Sequence, residues 1–316
     1  MPPCSLMDLP TELLVEIVSH YTNSYTFLSP FVRQEHNAQR EARQQALRSL
    51  SQTSSVLREL FLPILWEQFE ASKPNFQESH TQSEFAKTVA PYIKSVHITM
   101  KLWSNPAEME AIFLFLQFLR GLPNLSGLQI QRVPWSIVPI LTYAFNSVTL
   151  PTVTAVSVPN SLDVIFPSFP NVTTLASPEL LSGNRLIPAA TEKFPRIDAI
   201  SGLRLGHAKR PHSPSFKWKF VDALSLAFPH LRALSVTSTL PDKASETPEA
   251  LFAPLHGFPT LSELSLVYEN GTLPLEALIE GGKEVLHASR SRETKILRVW
   301  SNEVHTGPQV IHVERC

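Results

Sequence analysis

Residues 122–130 read LPNLSGLQI. Proline opens the phrase, and aliphatic residues follow two, five and seven places later at Leu125, Leu128 and Ile130. Positions five and seven differ by two, so a strand turns both side chains to one face. Proline fixes φ and lacks an N–H, which suits the start of a strand and not its middle. The residue two places after the proline precedes the strand proper and is set to pack beneath the turn. The phrase therefore reads as one short strand with a defined beginning and one buried face.

The same phrase recurs along most of the chain. Leu150-Pro151 leads to Val153, Val156 and Val158, Phe228-Pro229 to Leu231, Leu234 and Val236, and Phe258-Pro259 to Leu261, Leu264 and Leu266. Ala90-Pro91 opens a similar phrase with Ile93, Val96 and Ile98. Two copies are imperfect, because Phe169-Pro170 ends on Ser177 and Phe194-Pro195 on Gly202; a last copy without proline runs through Leu297, Val299 and Trp300. Between phrases, Met109 to Leu119, Trp135 to Phe145 and Pro274 to Leu286 are long and apolar enough to be helices.

The prolines stand 32, 28, 19, 25, 34 and 30 residues apart, which brackets the leucine-rich-repeat length of about 20–29 residues and scatters on both sides of it. The expected fold class is α/β: an N-terminal helical module, then an irregular, leucine-rich-repeat-like solenoid over residues 85–316 with short parallel strands and return helices. Positions six places after each proline should point away from the core. They read His97, Gln129, Ser157, Ala176, Ser201, Ser235 and Ser265. Of these, His97, Gln129, Ser157, Ser201, Ser235 and Ser265 are the candidate target-binding face, small, polar and nearly uncharged.

The first 70 residues have a different pattern. Residues 8–21, DLPTELLVEIVSHY, put Leu13, Leu14, Ile17, Val18 and Tyr21 on one helical stripe, with proline in the first turn. Residues 47–60, LRSLSQTSSVLREL, and residues 62–66, LPILW, follow. In that order, over roughly residues 6–70, these phrases resemble the F-box, particularly its fungal versions. The resemblance implies a helical module that docks on the Skp-family adaptor of a Skp/cullin/F-box ubiquitin ligase, with following repeats that hold a target protein. Carried over by position, it implicates Leu9, Pro10, Leu13, Ile17, Leu47, Leu50 and Trp66 in adaptor contact, and Leu14 and Leu57 in the module's own core. The module is set at residues 1–72. An insert at 22–45 departs from the family's short connection, and the stretch Arg33 to Arg48, rich in Gln, Arg, Glu and Ala, should extend the second helix. Residues 73–84 are polar and proline-containing, as a linker should be.

Composition narrows the function. With 27 basic against 28 acidic residues there is no bulk attraction to nucleic acid or an anionic membrane. No run of about 18 apolar residues exists that could span a bilayer, and the start MPPCSLMDLP lacks a basic flank before an apolar stretch. An intracellular location, cytoplasmic and/or nuclear, is expected. The two cysteines, Cys4 and Cys316, stand at opposite ends, where neither a disulfide framework nor a cysteine metal site can be built. His207 and His212 have no nearby Cys or Asp to complete a metal site. Gly281-Gly282-Lys283 lacks the rest of a phosphate loop, and no common catalytic signature is present. Neither enzyme activity nor a cofactor is expected. The basic stretch Gly206 to Lys219 reads as an exposed loop between phrases, with a grip on an acidic partner or a weak nuclear address as the alternatives.

Overall fold

The computed structural model describes residues 10, 12–13, 16, 35–71, 84–101, 109–181, 186–206, 218–239, 252–269, 274–303 and 307–316. Two helices, α1 (Glu35–Thr53) and α2 (Ser55–Trp66), lead into a single ten-stranded sheet. Its strands lie side by side in the order of the sequence: β1 (Gln68–Ala71), β2 (Ser95–Thr99), β3 (Gly127–Gln131), β4 (Ala155–Ser157), β5 (Thr174–Leu181), β6 (Ala199–Gly206), β7 (Ala233–Thr239), β8 (Glu263–Glu269), β9 (Ile296–Glu303) and β10 (Gly307–Arg315). Neighbours from β1 to β9 are parallel. Parallel neighbours need a crossover, and α3 (Glu84–Val89), α4 (Met109–Arg120), α5 (Val138–Phe145), α6 (Leu186–Lys193), α7 (Trp218–Ala227) and α8 (Leu275–Ala288) lie in those crossovers. The 19-residue interval between Pro151 and Pro170 has room only for a 3₁₀ segment, Asn160–Ser168.

The proline phrase is the structural unit. After Pro123, Pro151, Pro229 and Pro259, every residue two, five and seven places on is at most 2% exposed, in one continuous core. The turn closes where the second residue after the proline donates its N–H to the carbonyl before it: Leu125 to Leu122, Val153 to Leu150, Leu231 to Phe228. Register is then set by one recurring junction. The Lys94 carbonyl accepts the N–H groups of both Ser126 and Gly127, the Ser126 carbonyl those of Thr154 and Ala155, and so on to Arg232, which accepts from Ser262 and Glu263. Each strand thus starts at the same height as the one before it.

Three expectations are corrected. First, β10 is antiparallel to β9, closing the sheet with a hairpin instead of a further parallel unit. Second, the helical module does not end before the sheet begins: Gln68–Ala71, placed within residues 1–72, is the first strand, in register with Ser95–Ile98. Third, the face expected to be open is largely covered. Ser157, Ser201, Ser235 and Ser265 do occupy the alternate side of their strands, but they are 4%, 0%, 0% and 7% exposed, while His97 and Gln129 are half-buried. Small side chains sink between neighbouring strands, and Val267 and Trp300, next but one along β8 and β9, are buried as well. Alternation assigns a side chain to a face; it does not make that face wet.

The imperfect phrase that ends on Gly202 has a visible cause. In β6, Ile200 pairs with Leu234 and Leu203 with Val236, so one extra residue intervenes. That is a β-bulge, and it puts Leu203, not Gly202, into the seventh-place register.

Candidate docking site

The α1–α2 hairpin is built from the LRSLSQTSSVLREL stretch. Leu47, Leu57 and Phe61 form its small core, with Leu50, Leu60, Ile64 and Leu65 packed around them. The polar middle of the motif makes the break between the helices. Ser51 Oγ and Thr53 Oγ1 donate to the carbonyls of Arg48 and Leu50, satisfying acceptors at the end of α1. Ser54 caps α2 by accepting the Leu57 N–H at 3.2 Å. Arg58 Nε reaches back to the Ser51 carbonyl at 3.1 Å and ties the two helices together. α1 spans Glu35–Thr53, so the described part of the 22–45 stretch is helical.

The residues assigned to adaptor contact separate into different environments. Pro10 is exposed, and Leu13, whose N–H donates to the Pro10 carbonyl at 3.0 Å, is 49% exposed in a helical segment. Leu47 is 1% exposed and belongs to the hairpin core instead; Leu50 is half-buried against that core. Trp66 also has another role. It packs against the large core under the sheet and stacks on Phe69 with centroids 6.3 Å apart, and Phe69 in turn meets Phe118 of α4 at 5.0 Å. This aromatic chain joins the helical module to the sheet. Leu57 lies in the core at 2% exposure. Leu9, Leu14 and Ile17 lie outside the described residues, as does most of the basic stretch, 207–217.

A cleft of about 370 Å³ opens at the junction, lined by Gln44 and Arg48 of α1, Leu65 and Trp66 of α2, and Gln68, Phe69 and Glu70 of β1. Beside it, burial pushes the Arg43 guanidinium below the usual arginine value, while the Glu67 carboxylate opposes that shift. Glu67 is shared with Lys94 at 3.1 Å. Sequence reasoning missed this cleft, since its polar residues carry no motif and its strand, QFEA, lacks the proline that marks the others.

Residues 3–87 match the F-box-like domain family. A comparison with the curated proteins finds no match. The F-box-like domain extends past Ala71 into α3, so the domain contributes β1 to the sheet rather than being strung beside it. Among the described residues, no three His, Cys, Asp or Glu side chains are grouped to hold a metal ion, and no helix is long and apolar enough to cross a membrane.

Proposed function

We propose that this chain is a substrate-receptor adaptor of a Skp/cullin/F-box ubiquitin ligase, cytoplasmic and/or nuclear, that catalyses no reaction itself. The observation that carries this reading is the F-box-like domain at residues 3–87, joined to a sheet region by a shared strand. The sheet region is read as an irregular leucine-rich-repeat-like solenoid. Nine parallel strands in sequence order, each begun in the same register, support that reading. In such an assembly the domain binds a Skp-family adaptor and the sheet region binds a target, so that the chain contributes proximity between a target lysine and a ubiquitin-loaded enzyme.

Exposed Leu13 and Pro10 are the described part of the proposed adaptor contact. The test is co-purification of the full chain with a recombinant Skp-family adaptor, alongside the Leu13→Lys variant. Stoichiometric capture by the wild type and its loss in the variant are expected. Packing of Trp66 against the large core favours one alternative, a scaffold in which the helices only cap the sheet. Failure of the wild type to bind any Skp-family adaptor would select it.

A further inference from the structure

Trp135 is 78% exposed and Tyr143 70%, whereas large aromatic side chains are mostly buried in folded proteins. Left-handed Arg132, at φ 52°, and a turn closed by the Ile137 N–H on the Pro134 carbonyl at 3.0 Å carry the chain from β3 to α5. Pro139 and Tyr143 stand four apart on α5 and are both exposed, so they share its outer face. Trp135 is exposed four places before Pro139. The opposite face, with Leu141, Ala144 and Phe145, is buried in the large core. All of this lies within the continuously described residues 109–181.

Half-buried Phe113 of α4 meets Tyr143 edge to face, with centroids 6.3 Å apart and an interplanar angle of 84°, and so restrains the tyrosine ring. The stripe is uncharged, since residues 133–162 hold no Asp, Glu, Lys, Arg or His. A phosphorylated segment, a nucleic acid or an anionic membrane has no cation within that stretch to meet. What the stripe offers is two aromatic faces and two donors, an indole N–H and a phenol O–H. At the helical rise, Trp135 and Tyr143 are spaced by roughly 12 Å. A polyproline II segment covers that distance in about four residues.

We infer that Trp135, Pro139 and Tyr143 dock a proline-rich segment of a partner protein in the polyproline II conformation. Proline rings pack on the two aromatic faces. The segment's main-chain carbonyls, which this conformation leaves without internal hydrogen bonds, accept from Trp135 Nε1 and Tyr143 Oη. A partner helix suits the stripe less well, because its carbonyls are spent on its own N–H groups. A segment already extended also loses little conformational freedom on binding, which a small contact requires. The inference goes beyond the adaptor reading and does not rest on it.

The test uses the full chain and fluorescein-labelled, C-terminally amidated decaproline, with a glycine–serine decapeptide as counterpart, read by fluorescence anisotropy. Saturable binding of decaproline is expected, with none of the counterpart. Trp135→Ala and Tyr143→Ala should each weaken it by about tenfold or more. Because Trp135 is exposed, circular dichroism and the thermal midpoint of Trp135→Ala should match the wild type. Tyr143→Phe keeps the ring and loses the hydroxyl donor, so its loss should be smaller than that of Tyr143→Ala. Raising the salt concentration should leave the affinity unchanged, since no charge takes part. Absence of saturable decaproline binding, full binding by Trp135→Ala, or a steep salt dependence would overturn the inference. So would a dimer in sedimentation equilibrium that Trp135→Ala abolishes, which would assign the stripe to a second copy of the chain.

Discussion

The side-chain amide of Asn124 donates to the main-chain carbonyl of Pro91, one phrase earlier, at 2.7 Å. Asn171 makes the same bond to Pro151 at 2.8 Å, and Thr260 Oγ1 to Pro229 at 3.1 Å. The residue after each of these prolines thus anchors the turn of the preceding unit, whose proline carbonyl lies before its strand begins. Asn124→Ala should cost about 0.5–1.5 kcal/mol, the usual net value of one hydrogen bond. A urea titration should show a lower midpoint with an unchanged slope. An unmoved midpoint would mean that water replaces the amide without loss.

Gly202 and Ser177 meet where the pairing of β5 with β6 breaks register. Gly202 has φ +80°, and a Cβ there would stand 2.6 Å from the Ser177 carbonyl oxygen. Gly202→Ala should lose about 1–3 kcal/mol from backbone conformation alone, with the clash in addition. Calorimetry on the variant should show a clearly lower thermal midpoint. A midpoint matching the wild type would place the bulge elsewhere.

Ser235 sits opposite Ser265 in neighbouring strands, fully buried, and its Oγ has no hydrogen-bond partner among the described residues. Ser235→Ala should therefore be neutral or slightly stabilising, by up to about 1 kcal/mol, because no bond is lost and an unsatisfied group is removed. Ser235→Asp should cost several kcal/mol, since it buries an unpaired charge. Alternation alone suggests that the aspartate is tolerated. Equilibrium unfolding of both variants separates the two views.

Gly281 and Gly282 owe their presence to packing. In mid-α8, a Cβ on Gly281 would fall 2.2 Å from the ring of Phe252, and one on Gly282 would fall 2.7 Å from Leu297. Alanine gains about 1 kcal/mol of helix propensity over glycine. Overpacking costs about 1–3 kcal/mol, so Gly281→Ala should be destabilising on balance. Combining it with Phe252→Leu should recover part of the loss in a double-mutant cycle; strictly additive losses would exclude the contact.

How far the sequence could be read depended on whether one residue's role is set locally. Pro123 and the aliphatic residues after it announce a strand because proline and period-two spacing act within ten residues. Gly202 hides its role, since a bulge is defined only against β7 across the sheet. QFEA at β1 has no opening proline, and its place in the sheet is fixed by pairing with Ser95–Ile98. The burial of Ser235 depends on what surrounds it, which no spacing reveals. The motif around Ser51, Thr53 and Ser54 is legible both as a family resemblance and as a pair of helix ends, because hydroxyl caps are local.

Leu47 and Leu13 look alike in sequence, each an apolar residue on a helical stripe of the same domain, yet Leu47 is 1% exposed and Leu13 is 49% exposed. The difference predicts opposite phenotypes. Leu47→Ala removes a side chain packed in the hairpin core with Leu57 and Phe61, and such deletions cost about 2–5 kcal/mol. The hairpin should then melt early, and adaptor capture should fall only because the domain is unfolded. Leu13→Ala removes little buried surface, so stability should stay within about 0.5 kcal/mol. If Leu13 is part of the adaptor contact, its truncation should still weaken capture, by roughly tenfold for each 1.4 kcal/mol of lost binding. Paired measurements of thermal midpoint and adaptor affinity on the two variants decide the matter. A Leu13→Ala protein that keeps full affinity would remove this leucine from the docking face, whatever Leu47→Ala does.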